Sequence, residues 1–181
     1  MRVLQSLIFV SALVTPFVFA NPPAGATQSA QHRSSMGSLG LQWHDQDSVD
    51  NMTGERTIAS VTYANGYVKN VLGQNTKATL MIDCTGRKMT LGVFVEGAFI
   101  NRDDVVVLIK IDEAKAFQAT WRAAGDVIGV RSAIPLLRKL INANTLTVRI
   151  PFFHDSSQDI NFTIAGLDKH IGKMQAVCHW K

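Results

Sequence analysis

Gly166-Leu-Asp-Lys-His-Ile-Gly-Lys-Met-Gln-Ala-Val-Cys178-His-Trp180 is the stretch on which the reading of the fold turns. Leu167, Ile171, Met174 and Cys178 follow at steps of four, three and four, the repeat of one helical face. The predicted helix therefore aims Cys178 at a core. The other cysteine, Cys84, ends the strand-like run from Ala78. Side chains alternate along a strand, so Leu80, Ile82 and Cys84 share a face. Two core-facing sulfurs, with no third to compete, predict one disulfide, Cys84–Cys178, tying the last helix to a strand.

A disulfide needs an oxidising compartment, and the first twenty residues supply the route. Met1-Arg2 is a short positive start, Val3 to Val14 is nearly all apolar, and Pro16 breaks the run. Val18-Phe-Ala20 places short side chains where a signal peptidase reads. The expectation is a signal peptide over residues 1–20, cut after Ala20. The apolar run is short for a membrane span of roughly 20 residues. No cysteine stands at position 21 to be lipidated, so no stable membrane insertion is expected after cleavage. Export then places both cysteines where disulfides persist.

The 181 residues carry 18 basic and 14 acidic groups, a formal charge of +4 that falls to +3 without Arg2. The basic residues form no run or stripe, which argues against a nucleic-acid partner. What remains after residue 20 suits one domain and a tail. In the chain-entropy picture, closing a loop of roughly 95 residues contributes on the order of 4 kcal/mol, less any strain.

Residues 21–42 are rich in Pro, Gly, Ser, Ala and Gln without apolar period, as a flexible linker is. Trp43 opens the predicted domain, 43–181. His44 to Asp50 is acidic enough to raise calcium, but counting from Asp45 puts Val49 at position five and Arg56 at twelve, where an EF-hand needs oxygen ligands. The segment reads as a solvated turn. Thr57–Tyr63, Leu80–Cys84, Met89–Val95 and Val105–Ile111 read as strands, with Thr85-Gly-Arg-Lys88 as a hairpin loop. Phe117, Ala119 and Trp121 alternate with polar residues. Ser132 caps a helix that tolerates Pro135 in its first turn, buries Leu136, Leu137, Leu140 and Ile141, and is closed by Asn142 or Asn144. Strands marked by Leu146, Val148, Ile150 and by Ile160, Phe162, Ile164 precede the last helix. The fold class expected is α+β: a mainly antiparallel β sheet or sandwich with two helices in the C-terminal half.

Chemistry-bearing motifs are scarce. There is no Gly-x-Ser-x-Gly, His-Glu-x-x-His, Cys-x-x-Cys or phosphate loop, so no cofactor, metal or catalytic residue is expected. Asn51-Met-Thr53 and Asn161-Phe-Thr163 are sequons, with meaning only in a eukaryotic secretory path. His154-Asp155 with Ser156 or Ser157 would be half of a base–nucleophile system, but neighbours in a loop rarely have that geometry. Lys110 and Asp112 read either as an ion pair or as the strand running out into water. Phe152, Phe153 and His154 stand in a long polar connection. They are candidate partner-binding residues, because aromatic side chains carry interface energy; the competing reading is that the phenylalanines plug an open end of the fold.

The chain resembles the VasI/TagO family of type VI secretion-associated periplasmic proteins. The residues that carry the resemblance are Phe162-x-x-x-Gly166-Leu167 leading to Cys178-His-Trp180, Ile134-x-x-Leu137-x-x-Leu140, Leu146-x-Val148-Arg149, Leu80-x-Ile82-x-Cys84, and Trp43 with Asp50. One position departs: the family's arginine two residues before the central-strand aspartate is here Lys110, before Asp112. The resemblance spans residues 41–180 and its motifs are structural. It implies a non-enzymatic periplasmic accessory protein that binds a protein partner in the bacterial envelope. The alternative is a secreted inhibitor or surface-interaction factor acting on an envelope or host enzyme.

Overall fold

Among the described residues, nine strands follow one another before the first helix, and every pairing among them is antiparallel. The computed structural model describes residues 43–180, apart from 99, 101–102, 131 and 153–156. The proposed signal peptide and linker lie outside the described residues. The elements are β1 His44–Val49, β2 Arg56–Tyr63, β3 Val68–Lys69, β4 Asn75–Thr76, β5 Thr79–Thr85, β6 Lys88–Phe94, β7 Asp104–Ile111, β8 Phe117–Ala124, β9 Val127–Val130, α1 Ala133–Leu140, β10 Thr145–Pro151, β11 Ser157–Thr163 and α2 Leu167–Cys178.

The large sheet runs in the order β1-β2-β5-β6-β9-β8-β7-β10-β11, while β3 and β4 form a separate small hairpin. Ala64, just past β2, bridges Phe162 in β11, and the Asn65 amide donates to the Asn161 carbonyl at 2.8 Å. The sheet thus rolls until its last strand, β11, the eighth counted from β2, meets the end of β2, leaving β1 as a flap on the outer edge of β2. The alternation of side chains makes this possible. Leu80, Ile82 and Cys84 of β5 point inward, as do Val105, Val107 and Ile109 of β7 and Leu146, Val148 and Ile150 of β10. Trp121, Phe162 and Ile128 fill the space between them.

α2 buries Leu167, Ile171, Met174 and Cys178, the stripe read from the sequence, against β2 and β5. Gly166 at φ 84° turns the chain into this helix, in the left-handed region that a side chain disfavours. Cys84 and Cys178 are bonded, with Cα atoms 6.0 Å apart. The predicted fold class and disulfide are both found.

Several local readings change. The segment 44–49, read as a turn, is strand β1: its hydrogen bonds come from β2, and propensity alone gave no sign of them. Val127–Val130 was too short and glycine-broken to read as a strand, yet β9 pairs with β6 and β8. The loop at 85–88 is tighter than expected, a two-residue turn of Gly86 and Arg87 with φ of 53° and 69°. Ser132 does stand at the N-cap of α1, though without a side-chain cap bond, and the helix ends at Leu140, before either asparagine. Lys110 and Asp112 do not pair. Lys110 Nζ lies 3.0 Å from Glu113 Oε2, and Asp112, at φ 46°, accepts the amides of Asn144 and Thr145.

Candidate functional site

Phe152 ends β10's run into the connection to β11 and is only 7% exposed, packed into the core. Of the two readings of this residue, the plug is the one its burial matches. Phe153 and His154 lie outside the described residues, as does Asp155. The connection returns at Ser157, and Gln158 then makes a reciprocal pair of bonds to the Lys69 backbone: it accepts from the Lys69 amide and donates to its carbonyl, each at 2.8 Å. The β3–β4 hairpin is therefore fastened to β11 one residue beyond the start of that strand. The hairpin is thus held beside the start of β11.

Among the described residues, large apolar side chains are exposed singly at Val49, Met52, Tyr63 and Val106, and three more stand together on this hairpin. Tyr67 is 69% exposed, Leu72 76% and Val71 45%. Their neighbour Val68 is buried and roots the hairpin in the core. Asn70 organises the tip: its Oδ1 accepts the Leu72 and Gln74 amides, both at 3.0 Å, and its carbonyl accepts Gly73 N–H at 2.9 Å. Asparagine does this because its short side chain mimics a backbone carbonyl. Gly73 sits at φ 74°, as such a turn requires. Nothing in the sequence showed that Tyr67, Val71 and Leu72 would be left outside.

A second constellation ties β1 to α2. Asp45 Oδ1 accepts from Ser60 Oγ at 2.6 Å and lies 2.9 Å from His170 Nδ1, whose ring centroid is 5.9 Å from that of Trp43. Burial opposes the charged carboxylate of Asp45, but the bonds from Ser60 and His170 and the nearby Lys173 outweigh it, so its pKa is lowered. The three residue types are those of a hydrolase triad, in the wrong order. Nucleophile activation needs the imidazole between hydroxyl and carboxylate; here the carboxylate is central, and the buried Ser60 hydroxyl donates to it. The arrangement holds an edge strand rather than activating an oxygen. Two residues along β1, Arg56 grips Asp47 through Nε at 2.8 Å and Nη2 at 2.5 Å, and the Asp47 pKa is lowered by that bond.

On the outer face of β6 and β9, Gly92 and Gly129 stand opposite each other. They floor a shallow hollow of about 460 Å³ bounded by Met81, Asp83, Lys88, Arg122 and Val127. A Cβ at Gly129 would come within 2.9 Å of the Leu91 carbonyl oxygen, so close strand packing accounts for this glycine. Asp83 already accepts from Thr90. No group of three or more His, Cys, Asp or Glu side chains suited to a metal occurs among the described residues.

The sequence profile of the family described as "Type VI secretion system VasI, EvfG, VC_A0118" matches residues 26–180. No curated protein sequence matches the chain. Among solved structures, a crystal structure of invasion associated protein b from Bartonella henselae resembles it in outline, at 11% identity and a TM-score of 0.49, over 77% of this chain and 95% of that one. No helix among the described residues is long and apolar enough to cross a membrane.

Proposed function

The chain belongs to the VasI family of type VI secretion proteins, and from that premise we propose that it is a non-enzymatic accessory of a type VI secretion machine. It works in the periplasm after loss of residues 1–20 and binds a protein partner in the envelope. The family match over residues 26–180 is the observation that carries this reading. The disulfide between Cys84 and Cys178 is in keeping with an oxidising compartment.

The contact we propose is the connection after β10. Phe152, buried, is its buttress, and Phe153 and His154 are the groups offered to the partner. Fastening of the neighbouring hairpin to β11 through Gln158 and Lys69 supports this choice, since a firm base lowers the ordering cost of an interface loop.

A deletion strain complemented with wild type or with Phe153→Ala/His154→Ala tests both levels. Loss of secretion and of target-cell killing in the deletion, restored by wild type, is the expected result. Undiminished secretion in the deletion strain removes the role; a double variant that complements fully removes only the contact. N-terminal sequencing of protein released from the periplasm should begin at Asn21, and a start at Met1 would refute the cleavage site.

A further inference from the structure

Every amide of the β3–β4 tip is already bonded inside the protein. Asn70 N–H donates to the Gln74 carbonyl at 3.0 Å, Val71 N–H to Gly97 at 3.0 Å, and Gly73 N–H to Asn70 at 2.9 Å. Leu72 and Gln74 donate to Asn70 Oδ1. The N–H groups of such a tip lose no hydrogen bond to water when it enters a medium without acceptors, which is one part of the condition for placing backbone in a lipid phase. Its side chains match. Residues 70–76 carry no charge, and Val71 and Leu72 stand at the apex. Tyr67, Lys69 and Lys77 stand at the base, with Lys77 Nζ 5.7 Å from the Tyr67 ring centre. Aliphatic apex, then aromatic ring, then ammonium is the order of polarity met on leaving a bilayer.

We propose that this hairpin is a membrane-surface wedge: Val71 and Leu72 enter the acyl boundary of an anionic bilayer, Tyr67 lies at headgroup level, and Lys69 and Lys77 meet lipid phosphates. A lipid surface is favoured over a protein groove because the tip is convex and uncharged and has no free amide with which to recognise a partner's backbone. Among the described residues, Glu96, exposed beside Gly97, is an acid on this flank, and Lys69 and Lys77 outnumber it, which favours an anionic lipid surface. The wedge does not depend on the secretion role.

The test is flotation of the full chain with vesicles of phosphatidylglycerol and phosphatidylethanolamine, and separately of phosphatidylcholine. All variants share the same N-terminal segment, so differences between them report the hairpin. Wild type should bind the anionic vesicles, and Leu72→Asp should weaken binding at least tenfold. Lys69→Gln/Lys77→Gln should lower it about thirtyfold on anionic vesicles and little on phosphatidylcholine. A Leu72→Trp reporter should be quenched by acyl-brominated lipid, and it gives a reading even if Leu72→Asp folds poorly. Equal binding by Leu72→Asp, or an unquenched reporter on bound protein, overturns the wedge. Failure of wild type to float also overturns it, and if a photo-crosslinker at position 72 then captures a protein, the surface belongs to that partner.

Discussion

The seam where α2 meets β1, β2 and β5 and the tip of the β3–β4 hairpin solve opposite problems. At the seam, polar groups are drawn towards the core and each is given a partner: Asp45 takes Ser60 and His170, and beyond them the chain is crosslinked from Cys178 to Cys84. At the tip, apolar side chains are left in water while the N–H groups beneath them, from Asn70 to Gln74, are all bonded. The seam lowers the free energy of the fold itself. The tip does not, since a Leu72 that is 76% exposed gains little from folding. Order without burial at the tip is what a surface made for contact looks like, and large exposed apolar groups close together mark such sites.

Substitutions at four positions would break or sharpen this contrast. Cys178→Ser should have the largest effect, a loss of roughly 2–5 kcal/mol in chemical denaturation, the usual result of removing a native disulfide from a small domain. An unchanged denaturation midpoint would show that the seam holds without its crosslink. Next, Asp45→Ala should cost roughly 1–2 kcal/mol near neutral pH, a charge-assisted pair discounted for partial exposure.

The pH dependence of that loss has a definite sign. Asp45 has a pKa lowered from its ordinary 3.8. Its contribution is therefore complete above that unfolded value and fades as pH falls through the lower, folded one. The stability gap between wild type and Asp45→Asn should close on acidification below pH 3.8; a gap that stays constant through this range would contradict the latch.

Asn70→Ala should cost about 1 kcal/mol or less globally, while greatly speeding hydrogen exchange at Leu72 and Gln74, whose amides lose their acceptor. Unaltered exchange at those two amides would mean that the tip does not rely on Asn70. Smallest of all, Leu72→Ser should move stability by no more than about 0.5 kcal/mol. A drop of 2 kcal/mol would place Leu72 in the fold rather than on its contact surface.

The spacing of Leu167, Ile171, Met174 and Cys178 determined a helix face, and alternation from Leu80 to Cys84 determined a strand face. Together they were enough to pair the cysteines. Such features are legible because helix and strand periods are local and the core rewards them repeatedly. Helix α1 and strands β7, β10 and β11 were readable for the same reason. Tertiary structure decided the rest. His44–Val49 is a strand only because β2 offers it an edge, and Val127–Val130 only because β6 and β8 flank it. Asp112 exchanged a neighbour two residues away for amides at positions 144 and 145. The candidate site divides along the same line. Phe152 was named from its sequence, with burial as one of its two readings, and the core took it in. Tyr67, Val71 and Leu72 look in sequence like ordinary apolar residues around a turn. Whether an apolar side chain is covered depends on what the chain brings over it from far away, and here it brought nothing among the described residues.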